Sequence, residues 1–472
     1  MPVIEFLRKQ GFNPASPPEE METWLAWYKG NTESFHSYTV YNGIAFTGQK
    51  RASMRMAKQI CADWASLLLS ERVEVSTEDE RLNDLVQHVF EFNGFDFRAN
   101  QLVELTFALG TGAFVEFFDA SGQIVIDYVR GDCIYPLAWE NGEITDCAFA
   151  SVRRVAGKDR YYVAIHSLKT GGYVVTNHLI DKDSGKEVAL PDGIAPEVPT
   201  RSSQPRFQIM QPNLVNNVDL DSPFGISVYA NAIDRLKKVD LIFDSGNNEF
   251  QLGKKRIIVP LTMARTAVAE AQKKPIFDPN DVAFYGLDLG GDSRETQKPI
   301  DLTSDLRIEA HSQGLQDALN YLSDGVGLGT DRYEYQRGGG GVKTATEVVS
   351  EKSTLYQNLQ RHKLPVRKAI IDLCKSIAVM AGMNPDVEIS VNFDDSIIQD
   401  ETAIRQKAML EYQAGLIDEV AYFMETRGLD EETAKRFVAD IKARQGETVE
   451  TLMLPQEHAE FIEPEDEGQE ER

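Results

Sequence analysis

The chain has 472 residues, of which 42% are apolar and 26% charged, and it carries a formal net charge of −25. That length allows roughly two to four domains, and the composition is that of an ordinary soluble globular protein. No apolar run is long enough to cross a bilayer, so no membrane partner is expected, and the opening MPVIEFLRKQGF lacks the basic leader and apolar core of an export signal.

Cys61, Cys133, Cys147 and Cys374 stand singly, in no Cys-x-x-Cys or Cys/His ligand spacing. Reduced thiols are expected, with neither a metal nor a cofactor. A surface that grips DNA phosphates is usually basic. This acidic chain fits the reverse case, a passage whose like-charged wall lets DNA slide without sticking.

Residues 1–75 read as helical. Trp24, Trp27 and Tyr28 mark one segment, and Met56, Ile60, Trp64 and Leu67 lie on one face of the next, a core stripe. A helix near Leu82 to Asn93 precedes a strand-rich stretch to residue 200. Ala113–Phe118 and Gln123–Val129, joined by Asp119-Ala-Ser-Gly122, predict a hairpin. Further strands are expected around Ala148–Val155, Tyr161–His166 and Gly172–Leu179.

Ser222 and Pro223 suggest an N-cap and first turn for a helix running to about Leu252, with Tyr229, Ala232, Ile233, Leu236, Val239 and Phe243 on its apolar face. A shorter mixed insert over 257–308, with a helix near Ala264 to Lys273, separates it from a second helix, Glu309–Leu328. Six of the fifteen residues from Gly327 to Gly341 are glycine, which predicts a mobile loop. A long helix over Thr344–Gly382 should kink at Pro365. A strand at Asp386–Phe393 and helices at Asp400–Ala414, Asp418–Thr426 and Asp430–Ala443 follow. The tail from Gly446 holds ten acidic residues and one basic, and it reads as disordered. Together these elements predict an α+β fold, predominantly helical.

Catalytic motifs fail on inspection. Arg337-Gly-Gly-Gly-Gly-Val-Lys-Thr344 resembles a phosphate-binding loop, but Val342 replaces its final glycine and a helix, not a strand, precedes it. The acidic pair Asp394-Asp395 lacks the converging carboxylates and the lysine of a metal nuclease. The histidines form no metal-ligand spacing, and no nucleophile elbow occurs. No enzyme is expected. Two basic groups stand out. Arg235, Lys237, Lys238, Lys254, Lys255 and Arg256 read first as a solvated helix face making salt bridges between subunits, and second as weak phosphate contacts. For Arg332, Tyr333, Tyr335, Arg337 and Lys343 in the glycine-flanked loop, contact with DNA is the favoured reading.

Several stretches, in order and at matching intervals, resemble the portal proteins of long-tailed phages. They are Trp27-Tyr-Lys-Gly30, Met56–Leu69, Gly110-Thr-Gly-Ala-Phe114 with Asp127–Trp139, Gly341-Val-Lys-Thr-Ala-Thr-Glu347, and Phe393-Asp-Asp-Ser396 with Tyr412-Gln-Ala-Gly-Leu416. The resemblance implies a homo-oligomeric ring, usually of twelve subunits, at a unique capsid vertex of the virion, assembled in the host cytoplasm. It implies a wing (1–222 and 344–399), stem helices (223–256 and 309–327), a clip (257–308), a tunnel loop (328–343), crown helices (400–445) and an acidic tail (446–472). Implied partners are double-stranded DNA, held weakly and without sequence preference, the terminase large subunit, a head-completion or adaptor protein, the scaffold and the major capsid protein. Two alternatives remain at this stage: a structural capsid or connector protein without a DNA channel, and a nucleic-acid-processing enzyme.

Overall fold

The structure, a computed structural model, describes residues 2–41, 46–69, 73–253, 257–260, 284–287, 300–301, 305–334, 345–393, 408–427, 433–439 and 441. It divides into two units, Met1–Asp394 and Asp395–Arg472. The expected helix Ala264–Lys273, the pair Asp394-Asp395 and the tail from Gly446 lie outside the described residues.

The first unit opens with helices α1 (Pro2–Lys9), α2 (Glu19–Tyr28) and α3 (Glu33–His36), then strands β1 (Ser37–Tyr41) and β2 (Phe46–Lys50), which among the described residues pair only with each other. This hairpin corrects the all-helical expectation for 1–75. Helix α4 (Met56–Leu69) follows, then β3 (Glu74–Thr77), α5 (Glu80–Asn93) and α6 (Phe95–Leu109). Asp79 caps α5 by accepting from the backbone N–H of Arg81 at 2.9 Å. Gly94, in the left-handed region at φ 59°, ends α5 and starts α6, and Phe90 stacks on Phe95 across the break at 3.9 Å. The sequence expectation missed α6. Eight of its residues are buried, so it lacks the single apolar stripe that periodicity detects.

Strands β4 (Gly112–Phe118) and β5 (Ile124–Arg130) form the expected hairpin. Asp119 fixes its turn, accepting from the N–H groups of Ser121 and Gln123 at 2.8 Å each. A meander follows: β6 (Ile134–Glu140), β7 (Glu143–Val155), β8 (Lys158–Lys169) and β9 (Gly172–Asp181), with β10 (Glu187–Val188) and β11 (Glu197–Pro199) both paired to β9. The β6–β7 turn, Asn141-Gly142, has both residues at positive φ, the twist a two-residue hairpin needs. β12 (Phe207–Met210) adds to β4, giving the order β12-β4-β5. Val3, Ile4, Phe6 and Leu7 of α1 pack on Tyr135, Ala148, Ala150, Val163, Ile165 and Ile180 of the meander. A second cluster joins Ala113, Val115, Val129 and Phe207 of the smaller sheet to Ile134, Cys147, Phe149 and Tyr173.

Helix α7 runs from Ile233 to Leu252 after a single 3-10 turn, Ala230–Ala232. Its 20 residues span about 30 Å at ~1.5 Å per residue. The expected start near Ser222 is therefore ten residues too early. Pro223–Tyr229 is a buried, non-helical segment. Gly225 donates to Thr111 Oγ1 at 3.1 Å, and Val228 to the carbonyl of Phe107 at 2.9 Å. At this crossing a Cβ on Gly225 would meet the Gly110 carbonyl oxygen at 2.3 Å, so only glycine lets the two backbones touch.

Short strands β13 (Ile257–Pro260), β14 (Phe284–Leu287) and β15 (Ile300–Asp301) form a mixed sheet, with β13 and β14 parallel. Helix α8 (Ile308–Gly325) then returns antiparallel to α7, and α9 (Ala345–Met380) carries the chain to β16 (Ile389–Asn392), which pairs with β3. In the second unit, α10 (Glu419–Arg427) sets Tyr422 against Tyr412 and Phe423 against Phe437.

Candidate functional site

The glycine-rich stretch after α8 does not leave the fold at once. Residues 326–333 are fastened to α4, α8 and α9. Trp64 Nε1 donates to the Val326 carbonyl at 3.2 Å, and Asn358 Nδ2 donates to the Gly327 carbonyl at 3.0 Å. Gly327 sits at φ 82°, and a Cβ there would come within 3.0 Å of the Asn358 amide nitrogen. Leu328 N–H closes back on the Ser323 carbonyl at 3.0 Å.

Asp63 is the far post of this anchorage. Its side chain accepts from Tyr333 Oη at 2.7 Å, from Arg332 at 3.0 Å and from Gln59 Nε2 at 3.1 Å. Gln316 Nε2 adds a bond to the Tyr333 carbonyl at 3.1 Å. Burial, with the Asp63 carboxylate beside it, pushes the Tyr333 phenol far above its ordinary range, so it stays a protonated donor. Tyr333 is only 6% exposed. This corrects its reading as a DNA-facing side chain: in this conformation Tyr333 and Arg332 are the root of the loop. Tyr335, Arg337 and Lys343 lie outside the described residues. Sequence reasoning missed Asp63, Gln316 and Asn358. The available signal was an acid, Asp63, set inside the apolar run Ile-Cys-Ala-Asp-Trp-Ala. Asp63→Ala should strand the buried Tyr333 hydroxyl and lower unfolding stability by about 1–3 kcal/mol, measured by urea titration. A change near zero would mean the root is held without it.

Trp64 is fully buried where α4, α6 and α9 meet. Its ring centroid lies 4.8 Å from that of His362, edge to face, and 6.0 Å from that of Phe107. Burial, reinforced by Arg361, holds the His362 imidazole down to about 4. It is therefore neutral, and its Nδ1 accepts from the Asn213 N–H at 3.1 Å. Helix α9 runs through Pro365, which has no N–H for the carbonyl of Arg361 one turn back. Asn213 Nδ2 donates to that carbonyl instead, at 2.8 Å.

The bases of α7 and α8 are embedded, through Leu236, Val239 and Asp240 on one and Ala318, Leu319 and Leu322 on the other. Arg235 donates to the Tyr321 carbonyl at 2.8 Å, Lys238 sits 5.0 Å above the Tyr321 ring, and Lys237 pairs with Asp234 at 2.8 Å. These three cations of the predicted basic cluster are thus engaged within their own helix pair. Lys254, Lys255 and Arg256 lie outside the described residues. Toward the far end, Arg307 grips Glu249 with two side-chain bonds, at 3.0 and 2.7 Å, and a backbone bond at 3.1 Å. Those bonds hold the Glu249 carboxyl down to about 2.

Asp240 and Asp244 project from the other side of α7. Asp240 accepts from His36 Nε2 at 2.9 Å and from the Met54 N–H at 2.7 Å. Asp244 accepts from the Ala52 N–H at 2.8 Å. On the other side of the ring, His36 Nδ1 lies 2.9 Å from the Thr32 backbone nitrogen and 3.1 Å from the Thr32 carbonyl oxygen, so both ring nitrogens are engaged. Among the described residues no group of three or more His, Cys, Asp or Glu is arranged to hold a metal, and no helix is long and apolar enough to cross a membrane.

The family model described as phage portal protein, SPP1 Gp6-like, matches residues 19–447. No curated protein matches the chain.

Proposed function

The chain belongs to the SPP1 Gp6-like phage portal proteins, and from that premise we propose that it lines a DNA channel at one capsid vertex, serving genome packaging, head–tail joining and ejection. Membership implies a structural protein of the phage head that assembles as an oligomeric ring. The finer reading is ours: twelve copies, with α7 and α8 as the stem, 257–308 as the clip that meets the terminase large subunit and then an adaptor protein, and 400–445 as the crown. Residues 335–343 form the tunnel loop, with Tyr335, Arg337 and Lys343 toward DNA. The scaffold and major capsid protein are the remaining head partners.

One observation carries this reading. Beyond Asp244, none of the described side chains of α7 is buried, and none of residues 305–314, around the start of α8, is buried either. The helix pair outruns the chain's own core, while Leu241, Phe250, Ile308 and Tyr321 on it are 50%, 56%, 50% and 62% exposed. Helices of this kind gain their packing from neighbours standing side by side around an axis. Twelve copies at −25 each sum to a charge on the order of −300 before counterions, a wall that DNA slides past without adhering.

Electron microscopy of the purified chain tests this directly. Rings with a bore wide enough for a duplex are expected, and monomers under capsid-assembly conditions would overturn it. Deleting residues 335–340 leaves the Asp63 anchorage intact. It should preserve rings but sharply reduce packaged or retained DNA, scored as filled heads. Loss of the rings themselves would show that the loop is part of the scaffold.

A further inference from the structure

We propose that the β1–β2 hairpin is the element by which one copy of this chain grips the next, an inference that rests on the ring reading above.

The hairpin is unlike the rest of the surface. From Ser37 to Lys50 the only charged residue is Lys50, in a chain with 26% charged residues. Eight of the ten strand residues are exposed. Among them Val40 is 43%, Tyr41 57% and Phe46 75% exposed, with the Tyr41 and Phe46 rings paired at 5.2 Å. Aromatic enrichment with depletion of charge is the signature of a buried interface centre rather than of a solvated surface.

The strand edges point the same way. No third described strand pairs with β1 or β2. The outer edges lack the devices that normally blunt an exposed strand, having no proline, no bulge in the five-pair register, and a single lysine at the far end. An isolated two-stranded hairpin is marginal in water. This one is held from outside. Arg51 lies 4.3 Å over the Phe35 ring and 4.8 Å over that of Tyr38, and it donates to the Phe35 carbonyl at 2.6 Å. Asp240 and Asp244 hold both sides of its root on α7, by the bonds given above. A prong fixed in advance at its base loses little freedom on docking.

Charge selects the occupant. Every copy carries −25, so most approaches between two copies are repulsive. An aromatic prong with no acidic residue meets another acidic copy without that penalty. With one lysine it offers nothing to DNA phosphates. The root lies on α7, the helix whose outer half has no core of its own, so a prong seated on a neighbour continues the same side-by-side packing.

The test uses the full chain with Phe46→Glu, against wild type and Phe46→Leu, in native mass spectrometry over a concentration series. Wild type and Phe46→Leu should assemble alike. Phe46→Glu should need at least about tenfold more protein for half-assembly, with an unchanged far-ultraviolet circular dichroism spectrum because the side chain is exposed. A photo-reactive benzoylphenylalanine at position 46, in a mixture of light and heavy-isotope subunits, should give mixed-isotope cross-links. Wild-type-like assembly of Phe46→Glu, or cross-links confined to single chains, overturns the hairpin assignment and leaves the ring standing. A wild-type chain that never assembles overturns both.

Discussion

Trp64→Ala should lower unfolding stability by about 3–5 kcal/mol, the largest loss expected from any single change described here. Trp64 has no exposed surface, and it fills the junction of α4, α6 and α9 against Phe107 and His362. Truncation removes that packing and leaves a void which helices on three sides cannot readily close. It also removes the donor to the Val326 carbonyl. Trp64→Phe separates the two contributions, since it keeps most of the packing and gives up the N–H, a loss of about 1 kcal/mol. Urea unfolding at fixed assembly state measures both. Hydrogen exchange at the Val326 and Leu328 amides, bonded to Leu322 and Ser323, should quicken in Trp64→Ala, because the loop root loses one of its pins. A loss below about 1 kcal/mol in Trp64→Ala would mean the junction collapses onto other side chains.

Stability should also fall as pH rises from about 4.5 to 7, through one carboxyl. Glu116 on β4 is buried, and burial pushes its carboxyl from 4.5 up to about 7 against the hydrogen bonds from Ser376 and Gln208 and the Arg206 charge. Ser376 Oγ donates to it at 2.7 Å from α9, and Gln208 Nε2 at 3.3 Å from β12. Arg206 precedes β12, and the buried Cys374 lies on α9, so these are the groups that face it. The folded state holds its proton more tightly than the unfolded chain. Below pH 4.5 both states are protonated and there is no penalty. Between 4.5 and 7 the unfolded state releases its proton first, so stability falls as pH rises, by about 3 kcal/mol in all. Glu116 Oε1 and Gln208 Oε1 are both buried without a hydrogen-bond partner, so the ionised carboxylate is incompletely compensated in the folded state. Glu116→Gln should flatten the pH profile between 5 and 8 and raise the melting temperature at pH 8. A wild-type melting temperature with no more slope over that range than Glu116→Gln would sink the assignment.

The parts of the fold written in local chemistry could be read from the sequence. Asp119 with Gly122 announced the β4–β5 turn, and Met56, Ile60 and Trp64 the buried face of α4. The misses share a cause in distant contacts. Nothing between Ser37 and Lys50 reveals that Asp240 and Asp244, some two hundred positions on, hold the root of a hairpin there. Strand formation of that kind depends on context more than on intrinsic preference. Ser222-Pro223 reads as a helix start, but Gly225 is committed to a backbone crossing with Gly110. In the site, the glycine-rich stretch after α8 reads as loop from its first residues, yet residues 326–333 are tied to α4, α8 and α9. Tyr333 looks like a loop residue until Asp63 is brought beside it from 270 residues upstream.

The replaced rung at Pro365 has a mechanical consequence. An ordinary proline leaves its helix a soft joint, since one carbonyl there has nothing to pull against. In α9 that carbonyl is tied sideways to Asn213, whose own N–H is tied to the next residue, His362. The segment carrying Asn213 therefore works as a splint laid across the joint. Any flexing of α9 at this point must either carry that segment along or first let go of it, which turns a weak spot into a coupling between the long helix and the chain leading into α7.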